Sequence, residues 1–195
     1  MANIKIISEH SVDIDLLTGG ICIDVGCRGF AFSEAMRDLG CDVKAFDLED
    51  MNVPVGIDFF KKAISNKSGV SSYTNTKDAQ AKYLNHLITG EGIPCDIWGI
   101  NDLYKIICGE VDILKLDCEG SEYIILSDLE FQPKPRQLSI EFHMHCHRAL
   151  HDQYYNKCME NLLKYYIPVQ HVLTEAHGAG WNYWNSLFVR KDLMP

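Results

Sequence analysis

Positive charge is scarce: 18 lysines and arginines stand against 27 aspartates and glutamates, a formal charge of −9 over 195 residues. Phosphate backbones and anionic lipid headgroups repel such a surface, so neither a nucleic-acid footprint nor a membrane footprint is expected. Long apolar runs are missing too. Stretches such as Tyr123-Ile-Ile-Leu126 fall far short of the roughly 18–20 residues that span a bilayer. The opening Met1-Ala-Asn-Ile-Lys-Ile-Ile-Ser-Glu-His10 has no basic start, long apolar core or small-residue cleavage site, so no secretory signal is expected there. The eight cysteines include no Cys-x-x-Cys, and several lie in apolar runs. Thiols so placed act as small hydrophobes, which points to reduced cysteines and a cytoplasmic location. No repeat or linker divides the chain, so a single domain over 1–195 is expected.

What is present is an alternation of strand and helix patterns, the mark of an α/β sheet covered on both faces. Ile21-Cys-Ile-Asp-Val25 reads as a strand between glycines. Phe32, Ala35, Met36 and Leu39 follow at helical spacing, with Gly40 to end the helix. Cys41 to Phe46 forms the next strand and closes a β-α-β unit. A third strand is expected over Phe60–Ser65, a turn at Asn66–Gly69 and a strand at 70–74. Helical pieces are expected near 77–88 and 101–108. Val111–Leu116 and Gln137–Phe142 are strands, with a helix to about Leu129 between them. A longer helix covers 148–165. Apolar segments near 167–173 and 186–190 are separated by Gly178-Ala-Gly180, and two strands joined by so short a turn are antiparallel. The sheet is therefore expected to be mostly parallel with one antiparallel member, and ligands to bind beyond the carboxyl ends of its strands.

Three acidic positions follow such strand ends. Asp24-Val-Gly-Cys-Arg-Gly29 opens a helix with glycines that let a ligand approach the backbone, though the full G-x-G-x-x-G pattern is absent. An acid at Asp24 disfavours a pyrophosphate and suits a ligand ammonium. Asp47 ends the second strand 23 residues later (47 − 24), the position from which an acid accepts ribose hydroxyls. Asp117-Cys-Glu-Gly-Ser-Glu122 sets three acids beyond a central strand, where carboxylates hold an ammonium, take a hydroxyl proton or bind a divalent cation. Asp117 and Glu119 are the functional candidates; Glu122 suits the N-terminus of the following helix.

Leu114-Lys-Leu-Asp-Cys-Glu-Gly-Ser-Glu-Tyr123 resembles the most distinctive motif of the FkbM-type methyltransferases: lysine, apolar, Asp, apolar, Glu, Gly, small, Glu. Asp24-Val-Gly-Cys-Arg-Gly29, Ala45-Phe46-Asp47, Ala63-Ile-Ser-Asn-Lys-Ser-Gly69, Ile100-Asn-Asp-Leu103 and Ile140-Glu-Phe-His143 resemble further family segments, in family order. Phe30 stands where many members have a second glycine, and Asn101 where aspartate is usual. The resemblance implies a Rossmann-like methyltransferase fold, its seven-stranded sheet ending in an antiparallel strand, with S-adenosylmethionine as cofactor. It also implies O-methylation of a small hydroxylated acceptor such as a sugar or natural product. By the same resemblance, Asp24 and Gly26 lie against the methionine portion of the cofactor, with Cys27 and Gly29 in the same loop. Asp47 binds the ribose, Ile64 or Ser65 edges the adenine, and Asp117 sits near the sulfonium.

Methyl transfer to an alcohol benefits from a base. His143 is the first candidate, because an ordinary imidazole pKa of about 6.5 suits the task. Asp117 and Glu119 come second, and Glu141 is placed to orient the ring. His143-Met-His-Cys-His147 invites a zinc reading, but no second Cys/His pair accompanies it, so no metal is expected. Trp181 and Tyr183 either stack on the substrate or cover the sheet edge. Two rivals remain: a non-catalytic S-adenosylmethionine-binding partner or regulatory subunit, and an NAD-dependent oxidoreductase. A homo-oligomer stays open.

Overall fold

Apolar residues on both faces of a strand require cover on both sides, and the central strands show this pattern. The computed structural model describes residues 2–75, 85–88, 93–107, 109–128, 134–143, 148–176 and 181–194; side chains at 74–75, 85–88, 106, 148–150, 175–176 and 181–182 are outside the description. The strands are β1 (Ile4–Ile7), β2 (His10–Asp13), β3 (Ile21–Val25), β4 (Asp42–Asp47), β5 (Ile57–Lys61), β6 (Ala63–Ser65) and β7 (Gly69–Asn75). There follow β8 (Asn85–Ile88), β9 (Ile93–Gly99), β10 (Val111–Leu116), β11 (Gln137–His143), β12 (Tyr166–Ala176) and β13 (Trp181–Arg190). The helices are α1 (Ala31–Asp38), α2 (Ile100–Ile106), α3 (Ser121–Ser127) and α4 (Arg148–Tyr165).

Seven strands form the main sheet in the order β12-β13-β11-β10-β3-β4-β5. The pairs from β5 across to β11 are parallel, whereas β13 is antiparallel to both β11 and β12. Only β13 therefore runs against the rest. Chain order reverses between β3 and β10, the switch point at which open α/β sheets form their ligand crevice.

On one face, Ile23, Leu114, Leu116 and Ile140 pack with Leu103 of α2, Ile125 of α3 and Leu162 of α4. On the other, Cys22, Val43 and Ile113 pack with Phe32 and Met36 of α1 and with Val12 of the β1–β2 hairpin. Among the described residues, no helix is long and apolar enough to cross a membrane.

Four segments differ from the sequence reading, the first being Ile93–Gly99, for which no element was expected and which forms β9. The strand expected over 60–65 is two strands. At Lys62 the backbone N–H turns back onto the Phe60 carbonyl at 2.8 Å, so β5 joins the main sheet and β6 a second sheet, ordered β6-β9-β7-β8. Residues 85–88, expected as helix, are strand β8, paired with β7; 77–84 lie outside the described residues, as do Leu129 and Gly178–Gly180. The β1–β2 hairpin was not expected at all. Its strands are four residues each, and its turn is built from Ser8 and Glu9 at φ 46° and 73° rather than from glycine or asparagine. Phe30, where the resembled family has a second glycine, adopts a left-handed conformation, φ 57°, and is held there by burial and an edge contact with Phe59.

Candidate active site

The ends of β3, β4 and β10 are tied together before any side chain takes part. Gly26 and Cys27 donate their N–H groups to the Phe46 carbonyl at 2.9 and 3.2 Å, and Asp117 donates to the Val25 carbonyl at 3.1 Å. Gly26 has φ 78°, and a Cβ on it would stand 1.7 Å from the Asp117 carbonyl oxygen. Glycine is therefore required by both conformation and space. Above this junction lies a cleft of about 700 Å³, open to solvent and lined among others by Gly26, Asp47, Leu48, Ile64, Asp117 and Glu119. A second cavity of about 650 Å³ adjoins it under the hairpin, lined in part by Glu9, His10, Arg28 and Lys115, and shares Gly26 and Asp117 with the first.

Asp47 turns into the cleft from the end of β4. Its Oδ1 accepts the N–H groups of Leu48 and Glu49 at 2.7 and 3.2 Å. Among the described residues, Oδ2 has no hydrogen-bond partner. Burial raises the Asp47 pKa despite those two donors.

Asp24 is fully buried. Lys115 Nζ donates to its Oδ1 at 2.9 Å, and Ser33 Oγ to its Oδ2 at 2.6 Å. The ammonium expected opposite Asp24 is thus the protein's own lysine, which also donates to the Gly26 carbonyl at 2.7 Å. Asp24 consequently shapes the glycine loop from beneath. Burial lowers the Lys115 pKa, but Asp24 and Asp117 outweigh it and hold the amine well above its ordinary value.

The other acids gather around His143. Along β11, Leu138, Ile140 and Phe142 pack into the helix-covered core. The alternate residues Gln137, Ser139, Glu141 and His143 form a polar file on the hairpin side, where Asp13 of β2 donates its N–H to Gln137 Oε1 at 2.9 Å. Glu122 Oε1 accepts from both the backbone N–H and Nδ1–H of His143, at 3.1 and 2.8 Å. The other Glu122 oxygen accepts the Gly120 N–H at 2.8 Å. The ring's Nε2 is then directed at Glu141 Oε1 (3.2 Å), Glu119 Oε2 (3.4 Å) and Asp117 Oδ1 (3.6 Å). Glu119 reaches it from a left-handed backbone at φ 52°, a conformation kept at functional sites more often than elsewhere. On its other oxygen, Asp117 meets His10 Nε2 at 3.3 Å and Lys115 Nζ at 3.4 Å.

Electrostatics separate these groups. Burial would raise the Asp117 carboxyl, but Lys115, His10 and His143 hold it well below the ordinary carboxylate range. Burial, helped by Asp117, Glu122 and Glu141, pushes Glu119 up to about 8. Burial would lower the His143 pKa, yet Glu122, Glu141 and Glu119 hold it well above 6.5. Burial and the Glu122 anchor set His143, the residue expected as base, among the carboxylates around the cleft.

Of the positions expected to bind cofactor, Gly26, Asp47, Ile64 and Asp117 line the cleft. Cys27 is buried and lines the second cavity. Gly29 (φ 73°) shapes the loop, and Ser65 is buried behind Ile64. Glu119 is at the cleft, and His143 is packed behind it. His145, Cys146 and His147 lie outside the described residues, as does the Trp181 side chain; Tyr183 is opposite His143 in the β11–β13 register. Sequence reasoning gave no role to Lys115 or His10 and only a helix-end role to Glu122. A lysine inside the apolar strand Val111–Leu116 was the available signal for the first; the unforeseen hairpin concealed the second.

No protein-family model matches the sequence, and no curated protein matches it. Among solved structures, the chain is similar to the 1,6-didemethyltoxoflavin-N1-methyltransferase of Burkholderia thailandensis with bound 1,6-didemethyltoxoflavin and S-adenosylhomocysteine: 12% identity, 87% of this chain, 70% of that chain, TM-score 0.42. It is also similar to the N-methyltransferase NodS of Bradyrhizobium japonicum WM9 in complex with S-adenosylhomocysteine: 10% identity, 88% and 78% of the two chains, TM-score 0.44. A further NodS structure gives 14% identity, 88% and 85%, and TM-score 0.43. Likenesses this weak transfer neither a ligand nor a residue role.

Proposed function

We propose that this chain is an S-adenosylmethionine-dependent methyltransferase of the FkbM type, acting on a hydroxyl of a small sugar-like or natural-product-like acceptor. The observation that carries the reading is the seat of the cleft. It opens beyond the carboxyl ends of β3, β4 and β10, where strand order reverses, with Asp47 at the ribose-binding position of such folds. Asp47 Oδ2 accepts a ribose hydroxyl, and Ile64 flanks the adenine. Gly26 gives the methionine portion room against the backbone, while Asp24, Cys27 and Gly29 set the loop. S-adenosylmethionine supplies the reactive methyl group when bound.

The chain's own part is placement and proton handling. An acceptor oxygen held in line with the methyl carbon forms the new C–O bond as the C–S bond breaks, and good alignment of two reactants lowers a barrier by up to roughly 7–11 kcal/mol. The hydroxyl proton leaves to the Glu119 carboxylate, the more basic of the two cleft acids, rather than to Asp117, whose carboxyl is held well below the ordinary range. His143 is a positioning residue that keeps both of them at the cleft wall.

The test is calorimetric binding of S-adenosylmethionine, S-adenosylhomocysteine and NAD to the wild type and to Asp47→Ala. Both adenosyl ligands should bind and NAD should not, and the substitution should weaken binding about tenfold or more, as expected for losing a hydrogen bond to a charged group. Absence of adenosyl-ligand binding in the wild type would overturn the reading. Binding without turnover on any hydroxylated acceptor would favour the regulatory subunit.

A further inference from the structure

We infer that Asp117, Glu119 and His143 together bind a divalent transition-metal ion, of the Mn²⁺ or Zn²⁺ kind, on the wall of the cleft. The ion site rests on the geometry of these residues; its use in catalysis rests on the methyltransferase reading above.

The first argument is the ring. The 2.8 Å hydrogen bond to the Glu122 carboxylate oxygen Oε1 fixes Nδ1 as a proton-bearing nitrogen of His143. In the neutral ring the lone pair is therefore on Nε2, the atom turned towards Glu141, Glu119 and Asp117. A carboxylate that locks one imidazole nitrogen so that the other can ligate is the usual outer support of a histidine ligand. This is a feature of a ligand set, which acidic side chains alone would not supply.

The second argument is spacing. The three donor atoms lie within 4.8 Å of one another, with Nε2 3.4 Å from Glu119 Oε2 and 3.6 Å from Asp117 Oδ1. Bonds of about 2.0–2.2 Å to a common ion put neighbouring donors about 3.0–3.6 Å apart. Two of the separations thus already match the edges of a coordination polyhedron. A mixed imidazole and carboxylate set suits first-row transition ions better than Mg²⁺ or Ca²⁺, which take oxygen.

The third is access. His143 is 3% exposed, whereas the side chains of Asp117 and Glu119 are 27% and 19% exposed and line the cleft. An ion held there is fixed from the protein side and keeps an open position on the cleft side, as catalytic sites do. A hydroxyl placed on such an ion loses its proton more readily. No Cys/His spacing announces a site of this kind; along the chain only the carboxylates Asp117 and Glu119 pointed to a divalent cation, and His143 did not join them.

The full chain, stripped with EDTA, is titrated with MnCl₂ and with ZnCl₂ by calorimetry, alongside Glu119→Gln and His143→Gln. One equivalent should bind to the wild type, and each variant should bind it at least tenfold more weakly, the usual loss when a ligand is replaced. Circular dichroism checks that the variants are folded. Pulsed electron paramagnetic resonance of Mn²⁺-loaded wild type should show nitrogen coupling from an imidazole, a readout that needs no variant. No uptake, uptake unchanged in both folded variants, or no nitrogen coupling would each overturn the inference. Uptake lost in His10→Gln but kept in Glu119→Gln would also overturn it. S-adenosylhomocysteine binding to the stripped wild type separates the two readings. If it binds without any metal uptake, only the ion falls; if metal binds and it does not, only the methyltransferase reading falls.

Discussion

Asp24 and Asp117 end neighbouring strands and share one lysine, yet their surroundings differ in kind. Asp24 is fully buried, with a donor on each oxygen at 2.9 and 2.6 Å. Asp117 keeps 27% of its side chain exposed, and its contacts to Lys115, His10 and His143 run from 3.3 to 3.6 Å. A saturated, short-contact acid has nothing left to offer a ligand and acts as a clamp between β3, β10 and α1. An ionised acid with long contacts, facing a cleft, retains acceptor capacity and marks the place where chemistry is expected. Lys115 joins the two, so the clamp also determines where Asp117 stands.

Breaking the clamp should have the largest effect. Lys115→Met strands the Asp24 carboxylate without its cation. Removing one partner of a buried pair typically costs about 3–5 kcal/mol, which for a chain of this size lowers Tm by roughly 10 °C. Lys115→Met with Asp24→Asn removes both charges and keeps a side chain for Ser33, so thermal melts should show much of the loss recovered. Equal Tm values for the single and double variants would mean that the pair is not what holds these strands. Glu122→Gln comes next. It leaves the helix start in place but removes the charge from the bonds to His143, at an expected cost of about 1–3 kcal/mol. The ring should lose its fixed orientation as well, visible as exchange broadening of its NMR resonances. A sharp, unshifted His143 signal would show that Glu141 and Glu119 suffice to hold it.

The residues of the clamp and of the open cluster were unequally legible in the sequence. Strands β3, β4, β10 and β11 announce themselves as apolar runs between turn residues, and an acid at a strand end is positioned as soon as its strand is. Asp24, Asp47 and Asp117 could therefore be placed at one sheet edge without coordinates. The partner of each acid could not. Glu122 meets His143 across 21 residues and Lys115 meets Asp24 across 91, distances along the chain at which no spacing rule operates. That long-range pairing places the expected base, His143, in a buried setting among acids. The hairpin that delivers His10 escaped notice because four-residue strands give too short an alternation, and its turn places Ser8 and Glu9 where glycine or asparagine is the usual sign. The break at Lys62 depends on a backbone turn that two consecutive lysines do not encode.

Asp47 stands between the two cases and gives the smallest effect on stability. Its Oδ1 is saturated by its own loop, and its Oδ2 faces the cleft. Burial raises its folded pKa above the unfolded value, so folding favours the protonated form. Below the unfolded pKa the group is protonated in both states and has no net effect. As pH rises from there through the folded pKa, the unfolded chain ionises first, and the carboxylate becomes mildly destabilising. Asp47→Asn keeps the shape and removes that penalty. At pH 7 the ligand-free variant should melt at the same temperature as the wild type or slightly above it, within the roughly 0.5 kcal/mol typical of sites without a structural role. At pH 3, where the acid is neutral, the difference should vanish. Adenosyl-ligand affinity should nevertheless fall about tenfold, because an amide accepts a ribose hydroxyl less strongly than a carboxylate does. A variant that melts well below the wild type at pH 7 would place Asp47 with Asp24 among the clamps and remove it from the binding surface.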